Sequence, residues 1–162
     1  AGQYADMTLV DRGASVFMWW GLSYSLAPDR ETNPKVRQKH RDEGLVLVEE
    51  QPGANGRQKL IERTKKFFVL KQFANFLTPG TQRIAIDSPD PLLVSAYRKG
   101  NGKEGVVIAI NPSNQVIGLN LNLPDGGKVK SAFQTDRQLN CEAVKASSPL
   151  PPKSIRTLVY SK

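Results

Sequence analysis

The chain has 162 residues, a mass of 17.9 kDa, 39% hydrophobic residues and a mean hydropathy of -0.41. That is room for two small packed units, and no apolar run approaches the ~20 residues of a membrane span, so no membrane partner is expected. The formal charge of +8 divides between residues 28–66, with ten basic against seven acidic side chains, and residues 81–162, with eleven against six; an excess spread in this way argues against the dense basic stripe of a nucleic-acid binder.

The first segment, Tyr4 to Arg12, carries a loose helical pattern in Ala5, Leu9 and Val10 that Gly13 would end. The amino terminus has neither the basic start nor the apolar stretch of a signal peptide. Ala14 to Leu22 follows as a continuous apolar and aromatic run, the pattern of a strand buried on both faces in a helix-covered parallel sheet. Its neighbours would have to come from residues outside this chain, from another chain or from the β region downstream. Residues 23–57 are rich in Pro, Gly and charge and read as one long loop, a candidate substrate-facing excursion or an insertion.

From Gln58 to Leu77 the spacing predicts a helix, with Phe67, Leu70, Ala74 and Leu77 on the apolar stripe, Lys65, Lys71, Gln72 and Asn75 between them, and Thr78-Pro79-Gly80 as the stop. Seven short strands are then predicted, over 82–87, 92–99, 105–111, 117–123, 128–135, 140–145 and 154–160. This density suggests an antiparallel β-sandwich. Asn101-Gly102 and Asp125-Gly126-Gly127 supply hairpin turn residues. Leu119, Leu121 and Leu123 alternate with asparagines, giving one buried and one wetted face, whereas the wholly apolar Val106 to Ile110 should be central.

Little chemistry-bearing pattern is present. His40 has no histidine or cysteine partner, and Cys141, the only cysteine, sits on a predicted strand, so neither a metal site, a disulfide nor a Cys-His pair is supported. Adjacent acids such as Asp42-Glu43 and Glu49-Glu50 read as surface charge. No phosphate-cradling motif occurs, and no cofactor is expected. Trp19 and Trp20 are the suggestive pair: an indole can stack on the C–H face of a sugar and donate its N–H to a hydroxyl. Consecutive strand residues point to opposite faces, so one could meet a sugar while the other packs, or both could be core.

In order, these segments resemble the carboxyl-terminal part of glycoside hydrolase family 30, whose members join an (α/β)8 barrel to a β-sandwich. Gly13 to Trp20 is similar to the family's eighth barrel strand, which ends in a tryptophan lining the sugar subsite. Thr64 to Gly80 resembles its last barrel helix, with the aromatic pair, the Gln-Phe step and the Pro-Gly stop, and residues 93–97, 107–111 and 150–158 resemble sandwich strands. Gly21 departs from the glutamine that many members carry there.

The resemblance implies an α/β plus β fold, with residues 1–80 as the end of a TIM (β/α)8 barrel and 81–162 as a β-sandwich of about seven strands. It implies a retaining O-glycosidase acting on xylan, β-1,6-glucan or β-1,6-galactan, with a slight lean toward an endo-β-1,6-galactanase-like enzyme. Trp20, and with it Trp19, are the substrate-binding candidates. The two catalytic glutamates would precede Ala1, leaving no catalytic residue in this chain. The expected partners are an oligosaccharide or polysaccharide and the missing amino-terminal barrel portion, and the expected location is extracellular. A noncatalytic carbohydrate-binding or scaffold module is the alternative, and it would need an exposed aromatic platform among Tyr97, Phe133 and Tyr160.

Overall fold

The computed structural model of the chain describes residues 16–26, 34, 35, 43–49, 53–87, 91–123 and 126–162. The predicted first helix, Gly13 and His40 lie outside them. Backbone contacts divide the chain into two compact units, one of residues 18–68 and one of residues 69–162 with Val16 and Phe17.

In the first unit, strands β1 (Ser23–Leu26), β2 (Val46–Glu49) and β3 (Leu60–Arg63) form a three-stranded sheet in that order. β1 runs parallel to β2, with Ser23 beside Val46, and β3 returns antiparallel to β2. Thr64 ends the sheet and starts the helix α1 (Lys65–Ala74). It is buried, its N–H donates to the Leu45 carbonyl at 2.9 Å, and its own carbonyl accepts from the Phe67 N–H at 3.0 Å.

The expected loop, helix start and first strand all need correction here. The loop predicted over 23–57 contains two strands, and the helix predicted from Gln58 begins only at Lys65, because residues 60–63 find hydrogen-bond partners on β2. The strand predicted over 14–22 is not formed in its described part, 16–22. Val16, Met18, Trp20 and Leu22 are exposed, Met18 at 85% and Trp20 at 97%. Phe17 packs against a buried cluster and Gly21 is buried, but an apolar side chain is buried only where neighbours cover it, and the described residues do not cover these four. They form no barrel.

The second unit is built on a six-stranded antiparallel sheet of β4 (Gln82–Ile84), β5 (Leu93–Arg98), β6 (Glu104–Asn111), β7 (Lys128–Thr135), β8 (Asn140–Ala143) and β9 (Ser154–Ser161), in the order β4-β5-β6-β9-β7-β8. β6 is central and buried from Gly105 to Asn111, as its apolar sequence predicts. The β5–β6 hairpin closes where expected: Gly102 takes φ 67°, and the Asn101 side-chain oxygen accepts the N–H groups of Lys103 and Glu104 at 3.1 and 3.2 Å.

Each face of this sheet carries a cluster. On one, Val69, Leu70, Phe73, Phe76 and Leu77 from the helix and its carboxyl-terminal extension pack on Tyr97, Val106, Ile108, Ile110 and Ile155. The helix stripe is therefore rotated from the predicted one: Ala74 is exposed, and Gln72, placed by sequence among the polar positions, is fully buried. Two sheet threonines account for it. The Gln72 side-chain amide donates to Thr135 Oγ1 at 3.0 Å, and Thr157 Oγ1 donates to the Gln72 carbonyl at 3.1 Å.

On the opposite face, Val94, Ala96, Val107, Ala109, Leu158 and Tyr160 meet Ile117, Leu119, Leu121 and Leu123. The burial alternation of 117–123 is the predicted one, yet the segment is not a strand. A single antiparallel bridge joins Ile117 to Leu150. Side-chain alternation sets which face is buried, not whether the backbone finds a ladder, so the expected seven-stranded sandwich is one regular sheet covered by irregular chain. Asn111 ties that chain down: its amide donates to the carbonyls of Gln115, Leu150 and Pro151, and its oxygen accepts from Ser113.

β9 also carries a buried charge. Arg156, 1% exposed, donates through Nε and Nη2 to the Gln134 oxygen and through Nη1 and Nη2 to the carbonyls of Ala146, Ser148 and Pro149. Gln134 in turn donates to Asp136. Burial lowers the guanidinium pKa, and the Asp136 carboxylate opposes that shift. The guanidinium thus pins the 146–149 turn to the sheet with every donor used on a neutral acceptor.

Candidate functional site

Both candidate tryptophans lie in the 18–68 unit, just before β1, and the structure gives them different surroundings. Trp19 is half-buried, and its indole N–H donates to the Glu43 carbonyl at 2.8 Å. That bond consumes the polar group a sugar hydroxyl would need. Trp20 presents its ring to solvent. The two are not brought together as a pair of sugar contacts: one is a strut, the other an open platform.

The strut is made by the β1–β2 pairing. Leu45 N–H donates to the Gly21 carbonyl at 3.1 Å and Val46 N–H to the Leu22 carbonyl at 3.0 Å, so the parallel ladder extends back from Ser23 toward the tryptophans. Gly21 is needed at this point. A Cβ there would stand 2.5 Å from the Tyr24 ring and 3.0 Å from the Glu43 carbonyl oxygen.

Tyr24 closes the cluster. Desolvation raises the pKa of its phenol, and the Glu43 carboxylate, which accepts its hydrogen bond, adds to the shift through both that bond and its charge. Glu43, read from sequence as surface charge, is therefore the residue sequence reasoning missed: its carbonyl orients Trp19 and its carboxylate holds Tyr24. No local pattern announces this, because Glu43 meets Trp19 only through a pairing of segments 24 residues apart.

The remaining candidates carry no chemistry. Cys141 is part-buried with φ 61°, and burial pushes its thiol pKa up while Lys71 opposes the shift; a protonated thiol is a poor nucleophile. Among the described residues no three His, Cys, Asp or Glu side chains gather as a metal site. The aromatics that a sandwich platform would need are taken up by packing: Tyr97 and Tyr160 are buried, and Phe133 lies against Phe76 with ring centroids 5.1 Å apart. Among the described residues no helix is long and apolar enough to cross a membrane.

No protein-family model matches the chain, and no curated protein matches it at a significant level. Solved structures do. An endoxylanase of glycoside hydrolase family 30 from Clostridium papyrosolvens matches with a TM-score of 0.54 and 30% identity, covering 62% of this chain and 28% of that one. A conserved exported protein from Bacteroides fragilis matches with a TM-score of 0.59 and 25% identity, covering 72% of this chain and 26% of its own. A family 30 subfamily 8 xylanase from Clostridium acetobutylicum shares the fold, with a TM-score of 0.56 at 20% identity over 94% of this chain and 44% of its own. The chain thus spans between about a quarter and less than half of these proteins. In fold, and at 30% identity across 62% of its length, it is similar to the carboxyl-terminal portion of glycoside hydrolase family 30 xylanases.

Proposed function

We propose that this chain is the carboxyl-terminal segment of a retaining, secreted glycosidase that hydrolyses a β-linked polysaccharide, and that Trp20 forms one wall of its sugar-binding site. The observation that carries the reading is the match to the family 30 endoxylanase over 62% of this chain. In this reading residues 1–80 finish a (β/α)8 barrel, residues 81–162 form the β-rich domain that follows it in sequence, and the catalytic carboxylate pair belongs to the portion of the enzyme that precedes Ala1.

The exposed side chains of Val16, Met18, Trp20 and Leu22 support this arrangement, because apolar surface of that kind is rarely left to solvent and suits a covering segment. Trp20 suits stacking on a pyranose ring, since a large planar side chain contributes contact area at small conformational cost. Trp19, its N–H engaged by Glu43, would act by fixing the backbone from which Trp20 projects. Exposed polymeric substrates are met outside the cell, in keeping with the exported relative.

The test is to express the chain joined to its preceding sequence and assay xylan, β-1,6-galactan and β-1,6-glucan, following the anomer of the first-formed product by NMR. Hydrolysis with retention of configuration is expected, and inversion or no turnover on any of the three would overturn the reading. Trp20→Ala should raise KM by about tenfold, the worth of roughly 1.4 kcal/mol of stacking. The 162-residue chain alone should be inactive.

A further inference from the structure

The sequence spreads basic residues along 81–162, but folding gathers a group of them at one end of the six-stranded sheet. The β5–β6 hairpin brings Lys99 and Lys103 there, and the start of β7 brings Lys128 and Lys130. The register ties these ends together: Glu104 and Lys128 both pair with Ser161, on either side of β9, and the Lys162 N–H donates to the Lys103 carbonyl at 3.1 Å.

Two of these lysines share one carboxylate. Glu104 accepts Lys99 at 3.4 Å and Lys130 at 3.2 Å. Those two cations and a single anion leave a positive balance before Lys103 and Lys128, both exposed, are counted. In sequence, residues 99–104 and 128–130 carry Lys99, Lys103, Lys128 and Lys130 beside one acidic residue, Glu104. Lys130 is moreover the extra residue of a β-bulge between Val129 and Ser131. From there Lys130 reaches across β9 to Glu104.

We propose that this end of the sheet is a binding surface for an acidic polysaccharide, a polymer bearing uronate carboxylates, separate from the tryptophan site. Strands lie about 4.8 Å apart, so the step from the β5 end to the start of β7 covers roughly 14 Å, a length over which a uronate-rich chain presents several carboxylates. Lysines recognise such a polymer as point charges without demanding one planar geometry. The choice of a glycan over a nucleic acid rests on the functional reading above. The described aromatic on this stretch of β5, Tyr97, is buried and cannot stack with bases. The surface anchors the protein to acidic polymer beside its substrate, and Glu104 limits how tightly.

Affinity electrophoresis of the chain through gels containing polygalacturonate, neutral xylan or no polymer tests this, with duplex DNA as competitor. Polygalacturonate should retard the protein, 0.5 M salt should abolish the retardation, and Lys103→Glu with Lys128→Glu should weaken it at least about tenfold. Glu104→Gln should tighten it, and Trp20→Ala should leave it unchanged. An unretarded wild type, retardation insensitive to the lysine reversals, or displacement by DNA at far lower concentration than by polygalacturonate would each overturn the proposal. Absence of hydrolysis by the chain joined to its preceding sequence, with polygalacturonate binding by the chain retained, would instead count against the glycosidase reading alone. Circular dichroism of the variants separates lost binding from lost folding.

Discussion

Gly105 lies directly across the ladder from Tyr160, and the tyrosine ring covers it. A Cβ built on Gly105 would stand 2.2 Å from Tyr160 Cζ and 2.5 Å from Cε1, so the ring would have to withdraw by more than about 1 Å to reach ordinary contact. It has no room to do so. Tyr160 is 3% exposed and packs among Val94, Val107 and Leu158. Overpacking of this kind costs about 1–3 kcal/mol, and the upper end applies because both backbones are held by the ladder. Gly105→Ala should therefore lower the unfolding free energy by about 3 kcal/mol, or Tm by roughly 6–12 °C for a chain of this length. The assay is urea denaturation of wild type, Gly105→Ala, Tyr160→Ala and the double variant. Removing the ring removes the clash, so in the Tyr160→Ala background Gly105→Ala should cost less than about 0.5 kcal/mol and could stabilise through the smaller entropy loss of alanine. A coupling energy of about 2 kcal/mol or more is expected. A Gly105→Ala cost that is small, or that persists undiminished without the tyrosine ring, would refute the reasoning.

Arg156→Met should destabilise by about 3–5 kcal/mol, because it strands the Gln134 oxygen and three turn carbonyls; thermal melts check this, and Arg156→Lys should recover only a minor part. Asn111→Leu should free the chain around Gln115 and Leu150, read as faster amide exchange at Ile117 and Leu150, whose N–H groups form the bridge between them. Glu104 is held below the usual carboxylate range, first by its hydrogen bond from Lys130 and then by the charge of Lys99. A depressed carboxylate pKa contributes stability above the unfolded value that is lost as pH falls through the folded one. The stability gap between wild type and Glu104→Gln should accordingly be present at neutral pH, small because the group faces solvent, and close in acid; a gap that widened in acid would show the linkage to be wrong.

What sequence revealed depended on whether the determining interaction was local. The centrality of β6 follows from its unbroken apolar run, and the β5–β6 hairpin follows from Asn101-Gly102, whose side chain and φ are the turn itself. The helix was visible from its periodicity, but its start depended on whether residues 60–63 could find a partner on β2, and its buried face on two threonines over 60 residues away. Leu119, Leu121 and Leu123 show the same division: alternation predicted their burial correctly and their strand pairing incorrectly. At the candidate site, the two tryptophans stood out by residue type, whereas their separate roles came from a parallel pairing that brings Glu43 to Trp19. The clustering of lysines around Glu104 was hidden for the same reason, since four strand ends meet there from distant stretches of sequence.

In the proposed reading the chain is one part of a larger glycosidase. Intact-mass measurement and amino-terminal sequencing of the protein as its source produces it test this most directly. The expected result is a product much larger than 17.9 kDa whose residues before Ala1 include two glutamates at barrel-strand ends. A native product of only 162 residues, with no second chain copurifying, would contradict it.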